Sequence, residues 1–241
     1  MMQEQFTELT NKQGSKALVL FSSGLDSTYN LLKSKKNFKK TTALFFDYGQ
    51  KSASQEYVHV KRACEKLDIE FIKIDLLWYK NLASTLLSSG AKPTTFNSLN
   101  EINKKDSPAE WVPNRNGVFV NIAAAIAESK GYQSVVIGVN LEEADRYPDN
   151  TADFVERANK LFEYSTLSKP RLVSFSSDMV KANILKELFG LMEEYGLGKE
   201  YIWSCYDSYE RMCGRCESCL RLKNALKTHG RDGEWKELFL R

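Results

Sequence analysis

Short apolar runs alternate with helical stretches along most of this 241-residue chain. The first run, residues 16–21, is followed by small polar residues and then by a helical stretch that carries Leu31 and Leu32. Apolar runs of this length, bounded by turn residues, predict buried strands. Later runs at 41–46, 134–138 and 171–175 predict three more strands, and the alternation of apolar and polar residues at 69–76 predicts a further one.

The segments between these runs have helical periodicity. Apolar side chains recur on one face of residues 52–67, which predicts an amphipathic helix with Cys64 on its buried side. Further helices are predicted at 116–129, 153–167 and 178–189, the last two with an aspartate at the start. Strands that alternate with helices indicate an α/β fold, in which helices cover both faces of a parallel sheet.

Residues 80–112 have no clear periodicity and contain many Ser, Thr, Asn and Lys residues. A segment of this length in a compact domain is usually functional or mobile. We interpret it as a flap over the site, with a solvated insertion as the alternative.

Composition adds limits on function. The chain is 42% hydrophobic and 27% charged, which is typical of a globular protein. Its net charge of +3 is too small to predict nucleic-acid binding. The sequence contains neither an apolar run long enough to span a membrane nor the pattern of a secretory signal, so we expect a cytoplasmic protein.

The turn after the first strand, Ser22-Ser23-Gly24-Leu25-Asp26-Ser27, carries the most informative chemistry. A small-residue turn between a strand and a helix directs backbone N–H groups and the positive helix end toward one point, which suits a phosphate. The turn lacks the lysine that the common nucleotide P-loop requires. It resembles instead the Ser-Gly-Gly-x-Asp-Ser signature of PP-loop ATP pyrophosphatases, except that Ser23 replaces the central glycine. A serine reaches positive φ only at some energetic cost. An ordinary helix cap is the plainer interpretation.

Four of the five cysteines form a second motif near the C-terminus. Cys205, Cys213, Cys216 and Cys219 have the spacing C-x7-C-x2-C-x2-C. Four thiolates suit a closed tetrahedral zinc site, which leaves no position for water and is therefore structural. An iron–sulfur cluster and a redox Cys-x-x-Cys pair are the alternatives.

Taken together, the motifs resemble the 7-cyano-7-deazaguanine synthase family from about residue 16 to about residue 230. The matching stretches, in chain order, are Ser22 to Ser27, Asp47-Tyr48-Gly49-Gln50, Val112-Pro113-Asn114-Arg115-Asn116, Gly138-Val139-Asn140, Tyr147-Pro148-Asp149, Trp203-Ser204-Cys205-Tyr206 and the run from Cys213 to Cys219.

This resemblance implies a Rossmann-like fold of the PP-loop, adenine nucleotide alpha hydrolase-like type, with a small zinc-bearing helical lobe. We expect an ATP-binding domain at 16–195, a four-cysteine zinc lobe at 196–235 and an N-terminal extension at 1–15. The family uses ATP to convert the carboxylate of 7-carboxy-7-deazaguanine, with ammonia, to an amide and then a nitrile. Magnesium would bridge the phosphates. We also expect a homodimer.

The resemblance also assigns roles to individual residues. Catalytic roles fall to Asp26, Ser27 and Arg115. Contacts to ATP are expected from Phe21, Ser22, Ser23, Gly24, Leu25, Asp26, Ser27, Thr28, Asp47, Tyr48, Gln50, Asn116 and Gly138. Contacts to the acid substrate are expected from Asn140, Tyr147 and Asp149. Arg115 could alternatively cap the structure that follows it.

One stretch departs from the family's pattern. Where the family typically has Asp-Tyr-Ser-Gly-Tyr-Pro-Asp-Cys-Arg, this chain has the run from Glu143 to Thr151, without the Ser-Gly pair, the Cys and the Arg. This leaves two alternative functions open. One is a ligase that joins a deazapurine carboxylate to another amine, for example on a protein acceptor. The other is a nucleotide-sensing scaffold without turnover.

Overall fold

Five parallel strands form the centre of the computed structural model, which describes residues 15–82, 93–102 and 110–240. The strands are β1 (Lys16–Leu20), β2 (Lys40–Asp47), β3 (Glu70–Asp75), β4 (Ser134–Val136) and β5 (Arg171–Val173). Their spatial order is β3-β2-β1-β4-β5, so β1 lies in the middle, between β2 and β4. The predicted parallel sheet is confirmed, although β4 and β5 are shorter than the apolar runs suggest.

Seven α-helices accompany the sheet in the described ranges. They are α1 (Leu25–Asn37), α2 (Ala53–Leu67), α3 (Arg115–Lys130), α4 (Leu141–Ala144), α5 (Ala152–Ser165), α6 (Lys181–Tyr195) and α7 (Glu217–Thr228). Short 3₁₀ turns occupy Leu77–Asn81, Leu99–Glu101, Pro148–Asn150, Lys199–Tyr201 and Asp232–Leu238. None of the helices in these ranges combines the length and apolar character that a bilayer span requires.

Alternating side chains of β1 reach the two faces of the sheet. Ala17 and Val19 belong to a core that contains α1, α2 and α6, whereas Leu18 and Leu20 belong to a core beneath α3 and α5. Both faces are therefore covered by helices, as the nearly continuous apolar strands require. The first core continues into α7 and includes three of the four clustered cysteines, so the C-terminal segment packs directly on the sheet domain. The fifth cysteine, Cys64, is buried as predicted.

The last predicted helix begins later than the sequence pattern suggests. Its first residue is Lys181, not Asp178, and it continues to Tyr195. Asp178 lies instead in a turn in which the Met179 N–H donates to the carbonyl of Ser176. The N-terminus of α6 is capped from outside, because the Lys181 N–H donates to the Glu142 carboxylate at 2.8 Å. A carboxylate from elsewhere in the chain thus replaces the aspartate that the sequence suggests as the cap.

Part of the proposed flap, residues 83–92 and 103–109, lies outside the described residues, as do residues 1–14 of the predicted N-terminal extension. The described part of the flap packs on the C-terminal segment: Phe96 is buried, and its N–H donates to the carbonyl of Arg215 at 2.9 Å.

Candidate active site

A cavity opens at the carboxyl ends of β1, β2 and β4, the edge at which open α/β sheets bind ligands. The turn after β1 forms its floor. Segments from β2, α3, the 143–150 stretch, α6 and the cysteine-bearing segment form its walls. Its principal polar and aromatic lining residues are Ser22, Asp26, Ser27, Tyr48, Gln50, Glu56, Glu110, Trp111, Arg115, Asn116, Glu143, Tyr147, Asp149, Asn150, Lys181, Trp203, Ser204 and Tyr206.

The turn from Ser22 to Ser27 leads directly into α1, which begins at Leu25. Gly24 occupies the N-cap position and, lacking a side chain, cannot cap the N–H groups of the first turn. These donors, together with the positive end of the helix, are therefore available to an anion in the cavity.

Ser23 has a φ of +61°, in the left-handed region, where the typical family signature has a glycine. Its carbonyl accepts a hydrogen bond from the Trp203 N–H at 2.9 Å, so the strained residue is held by the cysteine-bearing segment. Its hydroxyl donates to the Ser22 carbonyl at 2.5 Å. Ser23 thus adopts a conformation that is costly for serine, and the neighbouring contacts stabilise it.

Gly138 follows β4 and lies against the same turn. A Cβ atom at this position would come within 3.0 Å of the Asp26 carbonyl carbon and the Ser27 nitrogen. Only a glycine lets these two backbone segments approach so closely.

Three ionisable groups meet beside the turn. The Lys181 Nζ lies 2.8 Å from Asp26 Oδ2 and 2.8 Å from Glu143 Oε1. The Asn140 side chain donates to the same oxygen of Asp26 at 3.2 Å. Lys181 is almost fully buried, so the cavity acquires a fixed positive charge that the sequence of the turn lacks.

The charges of these groups follow from their surroundings. Burial lowers the pKa of Lys181, but the carboxylates of Asp26 and Glu143 outweigh this effect and raise the pKa above its ordinary value. Burial raises the pKa of Glu143, but the Lys181 ammonium outweighs it and lowers that pKa to about 2. For Asp26 burial is the largest influence, and the pKa is raised despite the attraction of Lys181. Lys181 and Glu143 are therefore a charged pair at neutral pH.

A second cation, Arg115, lies across the cavity at the start of α3. Its guanidinium donates to the Tyr48 hydroxyl at 3.4 Å, and the nearby Asp149 is a further electrostatic partner. Burial lowers the pKa of Arg115, but its interactions with Tyr48 and Asp149 outweigh this effect and raise the pKa. Asn116, the next residue, donates from its side chain to the Asp149 carbonyl at 3.1 Å.

Aromatic rings line another part of the cavity wall. The rings of Trp111 and Tyr147 are nearly parallel, with 15° between their planes and 5.8 Å between their centroids. Tyr206 lines the same cavity. Flat apolar surfaces of this kind suit a planar heterocycle.

The predicted site residues are mostly brought together. The cavity lining includes Phe21, Ser22, Gly24, Leu25, Asp26, Ser27, Tyr48, Gln50, Arg115, Asn116, Gly138, Tyr147 and Asp149. Ser23, Thr28 and Asn140 lie behind this wall, and Asn140 reaches it through Asp26. Asp47 is not part of the wall. Its carboxylate faces Lys73, with 3.4 Å between the charged atoms.

Several cavity residues were not predicted from the sequence, chiefly Lys181, Glu56, Glu110 and Trp111. A usable signal existed for Lys181. It follows the serine-rich stretch after β5, and all parallel strands end at the same edge of the sheet.

The four clustered cysteines converge beside the cavity. All five cysteines of the chain carry free thiols, and the four sulfurs of Cys205, Cys213, Cys216 and Cys219 lie within 4.8 Å of one another. Ligands at about 2.3 Å from one tetrahedral ion would be about 3.8 Å apart, and the Cys213 and Cys219 sulfurs are separated by 3.9 Å. This donor set fits a single metal ion.

Backbone N–H groups also point at these sulfurs. The N–H groups of Asp207 and Cys213 donate to Cys205 Sγ at 3.4 and 3.3 Å, and those of Arg215 and Cys216 donate to Cys213 Sγ at 3.4 and 3.2 Å. Hydrogen bonds to a thiolate favour its charged form, which is the form that binds metals.

Comparison with known proteins agrees with this geometry. The family model described as "Queuosine biosynthesis protein QueC" matches residues 16–230. The 7-cyano-7-deazaguanine synthase of Carboxydothermus hydrogenoformans is 41% identical over 213 residues, which cover 87% of this chain and 97% of the relative. The enzyme of the same name from Pelotomaculum thermopropionicum is 40% identical over 221 residues, which cover 89% of this chain and 98% of the relative. Because both the family model and these relatives extend over nearly the whole length, this chain belongs to the QueC family of queuosine biosynthesis proteins.

Proposed function

We propose that this chain is an ATP-dependent 7-cyano-7-deazaguanine synthase, which uses ammonia to convert the carboxylate of 7-carboxy-7-deazaguanine to a nitrile through the amide. One observation carries the proposal: the uncapped helix N-terminus after Gly24 shares a cavity with the buried cation Lys181 and the partly buried cation Arg115. Such a cavity suits a polyphosphate and the charge that develops when it is cleaved. The names of the relatives support the choice of product.

In this proposal the backbone of Ser22 to Ser27 binds the pyrophosphate portion of ATP. Lys181 stabilises the negative charge on that side and Arg115 does so from the opposite wall. Tyr48 and Gln50, at the end of β2, would contact the adenosine. The substrate ring would lie at Tyr147 and Trp111, which places its carboxylate between the aromatic wall and the turn.

The first chemical step joins the carboxylate to AMP. A carboxylate oxygen attacks the α-phosphorus of ATP, and the bond from that phosphorus to the pyrophosphate oxygen breaks. Pyrophosphate leaves into the turn, where N–H donors and Lys181 stabilise it. The protein contributes position and fixed charge, not covalent chemistry.

The later steps introduce nitrogen. Ammonia attacks the acyl carbon, AMP leaves and the amide forms with loss of a proton. A second ATP then transfers AMP to the amide oxygen, and elimination of AMP with a further proton gives the nitrile. Both ATP-dependent steps use the same loop and the same cations.

Magnesium fits this site through Asp26. The Oδ1 atom of Asp26 is buried and has no hydrogen-bond partner among the described residues. An unsatisfied carboxylate oxygen beside the proposed phosphates is a suitable ligand for Mg²⁺, which would add positive charge at the leaving group. Asp26 would then bind Lys181 with one oxygen and the ion with the other.

For the cysteine cluster we propose one structural zinc ion. The separations between the sulfurs match those around a single tetrahedral ion. In a cluster of several irons the sulfurs bind different metal atoms and would lie farther apart. Zinc would fix the segment from Trp203 to Cys219, which supports both Ser23 and the cavity wall.

The test combines phosphorus NMR with a product assay. The protein is supplied with ATP, magnesium, ammonium and 7-carboxy-7-deazaguanine, and AMP and pyrophosphate are expected as the nucleotide products. Asp26→Asn should abolish their release while melting temperature changes little. If ADP and orthophosphate appear instead, the assignment of the turn is wrong.

A second candidate function is ligation of the same acid to another amine. The stretch at 143–151 lacks an arginine at the position where the family usually has one. Its own arginine, Arg146, does not line the cavity but forms an ion pair with Glu217. A changed wall could accept a different nucleophile, including an amine on a protein.

A further inference from the structure

An ion pair between Arg146 and Glu217 connects the cavity wall to the cysteine-bearing segment. Their side chains are only 5% and 2% exposed, respectively. Arg146 lies in the 143–150 stretch beside the cavity, whereas Glu217 is the first residue of α7 and stands between Cys216 and Cys219. We call this pair the Arg146–Glu217 bridge.

Glu217 is held on its other side by Arg221. Its Oε1 atom accepts from both the Nε and the Nη2 of Arg221 at 2.8 Å. Arg221 also donates to Glu142 Oε2 at 2.9 Å, and the other oxygen of Glu142 caps α6. The carboxylate of Glu217 therefore has a fixed orientation, which makes it a rigid anchor for Arg146.

Arg146 in turn contacts the aromatic wall. Its guanidinium carbon lies 5.4 Å from the centroid of the Tyr147 ring, within the range of a cation–π contact. That ring is the one that lies nearly parallel to Trp111 and lines the cavity. Glu217, Arg146, Tyr147 and Trp111 thus form a continuous series of contacts from the cysteines to the cavity.

The burial of the bridge gives it structural consequences. A buried ion that loses its partner is strongly unfavourable, so the remaining group moves toward water or acquires a new partner. If Glu217 lost its charge, Arg146 would be expected to leave its place behind Tyr147. The Tyr147 ring would then lose its cation–π contact with Arg146.

We propose that Arg146 is a positioning residue: through the bridge to Glu217 it holds Tyr147 in place for the planar acid substrate and joins that wall to the metal-binding segment. The identity of the substrate rests on the proposed function. The link from Tyr147 through Arg146 and Glu217 to the metal-binding segment does not. Arg146 contacts the aromatic wall directly, whereas the bridge reaches the turn to which we assign ATP only through the cysteine-bearing segment, so the larger effect falls on the acid.

Steady-state kinetics test the selectivity. Arg146→Met removes the charge and keeps the length, and Arg146→Lys restores the charge. For Arg146→Met we expect the KM for the acid to rise about tenfold, with a clearly smaller change in the KM for ATP, and Arg146→Lys should recover most of the loss. The matched control is Arg157→Ala, because Arg157 forms an exposed i,i+4 pair with Asp153 on α5. Equal changes in both KM values, or none, would overturn the proposal.

A metal-release assay tests the connection without any substrate. The zinc-loaded protein is mixed with a chromophoric chelator and the release rate is followed. Arg146→Met and Glu217→Gln should both release metal faster than wild type, while Arg157→Ala should not. Melting curves identify any variant that is unfolded. If the wild-type protein fails to consume the acid, the proposed function is wrong, but the bridge is not thereby rejected. The bridge is rejected if Arg146→Met and Glu217→Gln both release metal at the wild-type rate.

Discussion

The ammonium of Lys181 lies 2.8 Å from the carboxylate of Asp26, although 155 positions separate the two residues in the chain. The turn after β1 has no lysine of its own, and the fold supplies one from the first position of α6. Glu142 caps that helix and thereby fixes the position of its first residue. The cavity consequently combines a helix N-terminus with a buried cation, two features that favour the same anion.

Replacement of Lys181 by alanine should greatly reduce catalysis. The substitution removes the cation that we assign to the pyrophosphate side and leaves Asp26 and Glu143 facing each other without it. We expect kcat to fall by a factor on the order of 10²–10³, as when one group that stabilises transition-state charge is removed. Pyrophosphate release measures the effect. Lys186→Ala, at an exposed position on the same helix, should leave kcat unchanged. Equal activity in the two variants would exclude this role.

The lowered pKa of Glu143 predicts a dependence of stability on pH. Its pKa is about 2 in the folded protein, against 4.5 as the ordinary value. Because the folded value is lower, ionised Glu143 stabilises the fold above pH 4.5, and this contribution disappears as pH falls toward 2. The full contribution is about 3 kcal/mol.

Urea unfolding of wild type and Glu143→Gln at a series of pH values checks this. The free energy of unfolding should fall more steeply for wild type between pH 4.5 and 2, so the two curves converge in acid. Metal release at low pH affects both proteins and cancels in the difference. Parallel curves over this window would contradict the lowered pKa.

Much of the fold follows from local sequence. The short apolar runs bounded by turn residues form strands that are largely buried, as β1, β2 and β4 show. The alternating residues at 69–76 form β3, which is only partly buried. Ser22 to Ser27 could be located because a strand, a small-residue turn and a helix occur in succession. Comparison with the family's glycine marked Ser23 as the unusual position of the turn, and its φ is positive in the structure.

Other features depend on contacts that no local pattern contains. The start of α6 was misplaced because its cap, Glu142, comes from another segment. Lys181 was missed although it follows β5, because its contact with Asp26 depends on the approach of α6 to α1. Asp47 was expected near the nucleotide because it ends a strand, yet its side chain turns to Lys73 on the neighbouring strand. Proximity to the sheet edge does not decide which way a side chain points.

The cysteine cluster should bind one zinc ion per chain. Cys216→Ser is expected to lose the metal and much of the fold of the C-terminal segment, because metal binding and local folding are coupled. The matched control is Cys64→Ala, since Cys64 is buried but belongs to no metal cluster among the described residues. Elemental analysis of each purified protein gives the stoichiometry. Iron in place of zinc, or full zinc occupancy in Cys216→Ser, would refute the assignment.

The stretch at 143–151 decides between nitrile synthesis and ligation to another amine. Its cavity-lining side chains are Glu143, Tyr147, Asp149 and Asn150, and Asn150 donates to Asp149 at 2.9 Å. Arg146 is engaged by Glu217, so it does not replace the arginine that is typical of the family. A site that loses a hydrogen-bonding partner discriminates less well between substrates, by on the order of 10²-fold where a buried polar contact is lost.

We still expect the nitrile as the main product, because the loop, Lys181 and Arg115 serve both adenylation steps. The measurement follows acid, amide and nitrile over time with ATP and ammonia. Complete conversion to nitrile would rule out ligation to another amine as the function. An adenylate that accumulates without amide would support ligation to another amine and rule out nitrile synthesis.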